Sequence, residues 1–253
     1  MKTGGARSKR VTGWANGWGK QPERASFLQE GTSTLPIARI GSGLVYFAHV
    51  PKCAGSAMED YLAERFGPLA FNNREHYKAR RAWSKTSPQH IAADDLERLF
   101  PDGFFTACFA LVRHPLTRLR SVFKFQRDWE DRIPPETGFA DWLKTLPDVG
   151  FRRSYALDNH MRPMAELVPE GARVFHIEDG LQGVIDWLDE LAGGSDGPRT
   201  VPITNTYTSL MQTAGKSEQE VPVTEEQRDL VARLYARDFR RFGYDPADIP
   251  GEA

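Results

Sequence analysis

The chain has 253 residues, is 40% hydrophobic and carries a formal net charge of -1, which suits one sizeable domain and excludes an overall electrostatic field for nucleic acid or an anionic membrane. Two cysteines, Cys53 and Cys108, form no disulfide framework, and no Cys/His spacing indicates a zinc site. No apolar run approaches the roughly 20 residues of a membrane helix, and the N-terminus lacks the apolar core of a signal peptide, so we expect a soluble, cytoplasmic protein.

The N-terminal segment is basic. Six Lys and Arg side chains precede residue 25, against the single acid Glu23, and glycine is frequent there. This composition predicts a flexible, solvated tail and lead-in over residues 1–40. We expect one α/β domain over residues 41–246 and a C-terminal tail over residues 247–253.

The first strand–helix unit begins with an apolar run, residues 44–50, that Pro51 ends. Continuous rather than alternating hydrophobicity is typical of a strand buried on both faces, as in a parallel sheet. A helix is predicted over about residues 56–66, and Ser56 and Glu59 have the spacing of a capping box.

Two further units follow the same order. A second buried strand is predicted over residues 106–112, and Pro115 suits the first turn of a helix that continues to about Trp129. A third strand covers residues 173–177, and Asp179 can cap the helix after it.

The last predicted helix has the clearest signals. Thr224 and Gln227 form a capping box, and Gly243 ends the helix. Its apolar face consists of Leu230, Val231, Leu234, Tyr235, Phe239 and Phe242. The repeated strand–helix order predicts a single α/β domain with a central parallel sheet flanked by helices, in which ligands bind at the carboxyl ends of the strands.

The turn after the first strand has the composition of an anion-binding loop. In residues 51–57, Lys52 is followed by small residues up to the start of a helix. Small side chains let backbone amides approach an anion, and the helix N-terminus adds partial positive charge. The loop is not a Walker A motif, which places its lysine after the glycine. An ordinary turn with a solvated lysine explains this segment equally well when it is taken alone.

A second candidate turn follows the second strand. Arg113 stands at the end of that strand, where its planar guanidinium suits a phosphate, and Ser121 lies eight residues later in the helix. A surface arginine and a helical serine are the bland alternative. Two anion sites on adjacent turns of one sheet together imply a ligand with two separated anionic groups.

These segments resemble a known family. Residues 46–57 read YFAHVPKCAGSA and residues 110–123 read ALVRHPLTRLRSVF. They are similar to the 5'-phosphosulfate and 3'-phosphate motifs of the sulfotransferases that use 3'-phosphoadenosine-5'-phosphosulfate (PAPS), closest to the carbohydrate-type, family 2-like branch with its patterns HIPKTAGTS and R-D-P-x-x-R-x-x-S-x-[YF]. The ending YARDFRRFGY, residues 235–244, is similar as well.

The resemblance implies a P-loop nucleotide-binding, sulfotransferase-like fold and a role for each matching residue. Lys52 would contact the phosphosulfate and steady charge on the leaving oxygen, while Arg113 and Ser121 would hold the 3'-phosphate. The 5'-phosphate would be held by the Ser56 hydroxyl and by the backbone amides of Cys53, Ala54, Gly55, Ser56 and Ala57. Cys53 departs from the family's threonine and removes a hydroxyl donor. His114 departs from its aspartate or asparagine and weakens the helix cap.

The acceptor hydroxyl must lose a proton as it attacks, and histidine suits that task near neutral pH. The candidates are His49, His76, His90, His114, His160 and His176. His90 is favoured because it lies between the two motifs, just before a predicted helix over residues 92–100, where the resembling family carries a base. A structural His90 is the alternative, with His160 next in line. We predict that His160 and Arg162 contact the acceptor.

The resemblance implies transfer of a sulfuryl group from PAPS to a hydroxyl of an acceptor, a carbohydrate or other small molecule, by in-line displacement without a metal. We expect no nucleic-acid partner. Two alternatives stay open: a P-loop nucleotide kinase-like phosphotransferase, whose Mg²⁺ only Glu178 and Asp179 could hold, and a non-catalytic nucleotide-binding protein of the same fold.

Overall fold

A computed structural model of the protein describes residues 36–71, 85–147, 155, 157–204, 206–248 and 250. Most of the predicted basic tail, His76 and the last residues of the predicted C-terminal tail lie outside the described residues. No helix in the described part of the chain is long and apolar enough to cross a membrane.

A four-stranded sheet forms the centre of the fold. Its strands are β1 (Ile37–Ile40), β2 (Gly43–Ala48), β3 (Ala107–Val112) and β4 (Arg173–His176), in that order across the sheet. β2, β3 and β4 are parallel, as predicted, and β1 pairs antiparallel with β2. Phe47 and Phe109 are fully buried, in agreement with the continuous apolar runs. The sheet starts at Ile37, within the segment assigned to the lead-in.

Eight α-helices surround this sheet in the described part of the chain. They are α1 (Gly55–Phe66), α2 (Ala93–Leu99), α3 (Pro115–Lys124), α4 (Phe139–Leu146), α5 (Gln182–Ala192), α6 (Tyr207–Ala214), α7 (Glu225–Leu234) and α8 (Ala236–Phe242). A π-helical turn, Phe125–Trp129, continues α3. The predicted α/β domain with a central parallel sheet and flanking helices is confirmed.

The predicted capping box at the start of α1 is wrong. The helix begins at Gly55, and its N-cap is Ala54, which has left-handed backbone angles and makes no side-chain cap. The Glu59 carboxylate is buried and lies 2.6 Å from His49 Nδ1 instead of reaching back to Ser56. A buried imidazole outcompetes the local backbone amide, because an unpaired buried carboxylate would cost more.

The predicted Asp179 cap is also wrong. Residues Ile177–Asp179 form a 3-10 turn, and α5 begins at Gln182 with Leu181 at its N-cap. Asp179 is exposed. The chain therefore makes one additional turn between β4 and the helix.

The C-terminal helix is confirmed in its start and its end but not in its continuity. Thr224 and Gln227 form the predicted capping box, and Gly243 ends α8 in the left-handed region. Between α7 and α8 the helix breaks at Tyr235, whose buried hydroxyl donates to the Met161 carbonyl at 2.6 Å. Anchoring that hydroxyl fixes the C-terminal segment to the middle of the chain.

Two apolar clusters fill the interior. The first packs around the sheet and includes Phe47, Phe109 and Trp187. The second joins α3, α4 and α7 through residues such as Trp142 and Val231. The loop after β2 is anchored in the first cluster and α3 in the second, so the two predicted anion-binding turns are held by different clusters.

Candidate active site

The two predicted turns emerge at the same edge of the sheet. In the parallel pairing of β2 with β3, Ala48 lies opposite Ala110. The chain continues from β2 through Lys52 into α1, and from β3 through Arg113 into α3. The two cations are close enough for Arg113 to lower the pKa of Lys52. Their proximity agrees with the predicted pair of neighbouring anion sites.

The loop after β2 has the backbone of an anion cradle. Lys52 and Ala54 adopt left-handed angles, with φ of 67° and 58°. The first amide that bonds back into α1 is that of Met58, which donates to the Ala54 carbonyl at 3.1 Å. The amides of Gly55 and Ser56 precede it, at the open end of the helix. Turns of this kind direct successive N–H groups toward one anion.

Cys53 lies in this loop but is not a nucleophile. Its side chain is fully buried, and its thiol lies 3.8 Å from the Pro51 carbonyl. Burial raises the pKa of the Cys53 thiol to about 12, although Arg118 and Arg113 oppose the rise. A thiol that stays protonated fills space and leaves the chemistry to the lysine beside it.

The Lys52 ammonium lies 3.8 Å from the centre of the Phe125 ring. Burial lowers the pKa of Lys52 to about 8, with Glu130 opposing and Arg113 adding to the change. Lys52 therefore carries its charge at neutral pH and is only weakly compensated. Phe125 and Glu130 are site residues that the sequence did not single out, because both belong to the π-helical turn and the residue after it.

Arg113 and Ser121 both lie on the β3–α3 side of the site. The Arg113 guanidinium donates from Nε to Thr117 Oγ1 at 3.1 Å, and burial lowers its pKa. Ser121 is partly exposed on the second turn of α3. Because the guanidinium group is planar, this contact also fixes the directions of the two remaining nitrogens of Arg113, Nη1 and Nη2.

The turn at His114 is held by a side chain from another part of the chain. The His114 side chain makes no cap, as the resemblance implied. Its backbone N–H donates to Glu178 Oε1 at 2.8 Å, and Tyr244 donates its hydroxyl to Glu178 Oε2 at 3.0 Å. Glu178 therefore fixes the turn that carries Arg113.

Arg118 connects the anion-binding loop to the histidines. It is fully buried, and it donates to the Pro51 carbonyl from Nε at 3.1 Å and to the His160 carbonyl from Nη2 at 2.9 Å. The only sequence signal for it was its place in the R-x-x-S spacing that ends at Ser121. Its two contacts join segments more than forty residues apart in the chain.

His90 lies in a short 3-10 helix, Pro88–His90, and is largely buried. Its Nδ1 lies 2.7 Å from Asp158 Oδ2 and 3.2 Å from Ser87 Oγ. Asp158 accepts a further bond from the Ser87 hydroxyl at 2.6 Å. The favoured base therefore has a carboxylate partner, which the sequence did not predict.

His160, the second candidate base, lies beside His90 with ring centres 5.2 Å apart. Gln126 Nε2 donates to His160 Nδ1 at 2.9 Å. Burial holds the pKa of His160 well below its usual value, and His90 adds to the effect. His160 is therefore a neutral imidazole at physiological pH, placed to contact a ligand that reaches His90.

His49 has a packing role. It is buried against Glu59, and its ring meets the His90 ring edge-on at 4.7 Å. His176 is partly exposed, and its Nε2 lies 2.7 Å from the Phe242 carbonyl. Neither needs a catalytic role to explain its surroundings.

Arg162 is not drawn toward the histidines by its contacts. Its Nε donates to Glu166 Oε2 at 2.9 Å, and it lines a separate cleft with Asp94 and Arg241. Its assignment to the acceptor site stays a prediction without support from the geometry.

One group within the described ranges has a spacing that could hold a metal ion. His90, Asp158 and His160 each offer a ligand atom, and these atoms lie within 4.8 Å of one another. The same three side chains also have an explanation without a metal: a general base, its carboxylate partner and a histidine that contacts the ligand. The expected metal independence therefore stays a prediction.

Comparison with known proteins identifies the family. The family 2 model of the sulfotransferase family matches residues 42–245. No curated protein and no solved structure matches the chain. The matched range includes both predicted anion-binding turns and the neighbouring histidines. Because it covers well over half of the chain, this protein belongs to the sulfotransferase family.

Proposed function

We propose that this sulfotransferase uses PAPS as donor and transfers its sulfuryl group to a hydroxyl of a carbohydrate or another small polyhydroxy molecule. The observation that carries the proposal is the meeting of a donor-side cation and an acceptor-side base. The Lys52 ammonium lies 3.8 Å from the centre of the Phe125 ring, that ring lies 5.7 Å from the His160 ring, and His160 lies 5.2 Å from the His90 ring. Donor and acceptor groups therefore share one site.

On the donor side, the ligand needs two anionic ends. The amides of Gly55 and Ser56 with the Ser56 hydroxyl suit the 5'-phosphate, while Arg113 and Ser121 suit the 3'-phosphate. Lys52 belongs to the loop after β2 that would hold the 5'-phosphate, and its charge would stabilise the oxygen that leaves the sulfur. The S–O bond to the nucleotide breaks as the S–O bond to the acceptor forms, and adenosine 3',5'-bisphosphate departs.

On the acceptor side, the hydroxyl proton needs a base. His90 is better suited than His160, because burial and the Gln126 contact leave His160 little capacity to take up a proton. His160 and the Phe125 ring beside it, with centres 5.7 Å apart, would instead contact the acceptor.

A nucleotide kinase gains no support from this site. The acids expected to hold Mg²⁺ were Glu178 and Asp179. Glu178 is engaged by the His114 amide and the Tyr244 hydroxyl, and Asp179 is exposed on the 3-10 turn after β4.

We expect transfer to proceed without a metal ion. A sulfonate carries less negative charge than a terminal phosphate, so Lys52 and the α1 N-terminus suffice to stabilise the charge that develops. Assays in EDTA should give the same rate as assays without it. Loss of activity in EDTA, restored by Mg²⁺ or Zn²⁺, would contradict this and assign a metal to His90, Asp158 and His160.

The experiment that tests the proposal can begin before the acceptor is identified. Small-molecule and glycan extracts are incubated with the protein and PAPS and screened by mass spectrometry for a gain of one sulfuryl group. Lys52→Ala is the negative control, and the exposed Lys144→Ala is the matched surface control. Products that form equally with Lys52→Ala, or no PAPS consumption by any extract, would overturn the proposal.

A further inference from the structure

We infer that Asp158 is a positioning residue: it holds the proton of neutral His90 on Nδ1, so that Nε2 is the atom that accepts the acceptor's proton. The inference rests on the proposed function for its catalytic consequence. The hydrogen-bond geometry behind it stands on its own.

The Asp158 carboxylate is surrounded by donors from one short segment. Its Oδ2 lies 2.7 Å from His90 Nδ1 and accepts the Ser87 hydroxyl at 2.6 Å. Its Oδ1 accepts the Ser87 amide at 2.5 Å. Both oxygens of Asp158 are thus occupied by the turn that carries His90, and the imidazole ring cannot rotate without breaking this set.

The backbone around Asp158 is built for this contact. Leu157, Asp158 and Asn159 have φ of 50°, 57° and 60°, three consecutive left-handed residues without a glycine. This conformation is unfavourable for residues other than glycine, and it persists where the surrounding contacts fix it. Asn159 Nδ2 donates to the His90 carbonyl at 2.7 Å. One left-handed turn therefore holds both the ring and the main chain of His90.

Charge decides which nitrogen bears the hydrogen. Burial alone would raise the pKa of the Asp158 carboxyl, but the contacts with His90 and the Ser87 hydrogen bond outweigh burial and hold that pKa far below its usual range. An ionised carboxylate only accepts hydrogen bonds. The nitrogen 2.7 Å from it must therefore be an N–H, and the lone pair of the neutral ring is left on Nε2.

The direct test reads the tautomer without donor or acceptor. Histidine is labelled with ¹⁵N, and long-range ¹H–¹⁵N correlation spectra are recorded at a pH where His90 is neutral, with His90→Asn used for assignment. We expect His90 to be protonated on Nδ1 in the wild type. In Asp158→Asn and Asp158→Gly, which both tolerate left-handed backbone, we expect loss of this single tautomer. The exposed Asp141→Asn should leave the spectrum unchanged.

Kinetics then connect the tautomer to transfer. Asp158→Asn should lower kcat roughly 10²-fold or more, with affinity for adenosine 3',5'-bisphosphate within about twofold of wild type. An Nε2–H tautomer in the wild type, or an unchanged tautomer in both variants, would overturn the inference even if PAPS-dependent transfer is demonstrated. A correct tautomer in a chain that consumes no PAPS would instead leave the geometry standing and refute the proposed function.

Discussion

At the scale of single residues, the surroundings of Lys52 suit the role proposed for it, which is to stabilise the nucleotide as it departs. Its left-handed backbone turns the side chain onto the Phe125 ring, 3.8 Å away. An aromatic face stabilises an ammonium by about 0.5–2 kcal/mol without neutralising it. Burial removes water from the ammonium and so lowers the pKa of Lys52 to about 8, while an approaching anion would stabilise its charge.

The lowered pKa of Lys52 predicts a pH-dependent affinity for adenosine 3',5'-bisphosphate. Below pH 8 the ammonium is charged and binding is tight, while above pH 8 an increasing fraction is neutral. Between pH 7 and pH 9 the affinity should fall roughly tenfold. One pH unit below the pKa about nine-tenths of Lys52 is charged, and one unit above it only about one-tenth is charged. Calorimetry across this range measures it. Lys52→Arg, which stays charged, should show a flat profile. A flat wild-type profile would contradict the assignment of Lys52 to the ligand.

The two histidines should differ in their mutant kinetics. His90→Ala removes the proton acceptor, which acts only during transfer, and should lower kcat roughly 10²–10⁴-fold with little change in PAPS affinity. His160→Ala should raise the acceptor KM more than it lowers kcat. Steady-state kinetics with the acceptor identified by mass spectrometry decide between them. Near-normal turnover of His90→Ala with a large loss in His160→Ala would move the base to His160.

At the scale of elements, the sequence was informative where chemistry is local. The strand ends, the small residues after Lys52 and the Arg113–Ser121 spacing are all contained in short segments, and the strands and helices follow them closely. The partner of His90 could not be predicted in this way. Asp158 is 68 residues away in the chain, and its left-handed turn contains no glycine to mark it.

The two wrong caps have different causes. Ser56 and Glu59 matched the spacing of a capping box, yet the tertiary partner His49 claims Glu59. Asp179 matched a cap position, yet the chain makes another turn before α5. Local propensity predicts a cap only where no buried group competes for the same side chain.

Gly55 illustrates how tightly α1 and β2 meet below the anion-binding loop. A Cβ at this position would lie 1.9 Å from His49 Nε2 and 2.0 Å from Cδ2 of the same ring. The His49 ring is held by Glu59 and stacks against Phe47, so it has little freedom to withdraw. The glycine is required by this close approach and not by an unusual φ.

Gly55→Ala should therefore destabilise the fold by roughly 1–3 kcal/mol, as overpacking of a buried site does. It should also weaken nucleotide binding, because the displaced ring lies beneath the loop. Chemical denaturation and calorimetry measure the two effects. Gly183→Ala, in the first turn of α5, is the matched control, since a Cβ there meets only the Phe175 ring at an ordinary 3.9 Å, and it should not destabilise the fold. Equal stability of the two variants would show that His49 can move aside.

At the scale of the molecule, the proposed donor site spans two apolar clusters. Cys53 anchors the first anion-binding loop in the cluster around the sheet, while Leu116 and Leu119 anchor α3 in the other. Arg118 joins the two by donating from α3 to the Pro51 carbonyl. A ligand with two anionic ends would hold the same two parts together, so binding should stabilise the whole domain and not one turn alone.

This arrangement predicts strong discrimination between adenosine 3',5'-bisphosphate and AMP. Both ligands can occupy the loop at Lys52, but only the bisphosphate has a group for Arg113 and Ser121. Loss of a charge-assisted phosphate contact costs about 1.5–3 kcal/mol, so AMP should bind roughly 10- to 100-fold more weakly. Arg113→Met should remove most of this difference by weakening the bisphosphate alone. Arg98→Met, at a side chain that is 77% exposed, should preserve it. Calorimetry with both nucleotides on the three proteins is decisive: equal affinities in the wild type would refute the 3'-phosphate site, and discrimination that survives Arg113→Met would place that site elsewhere.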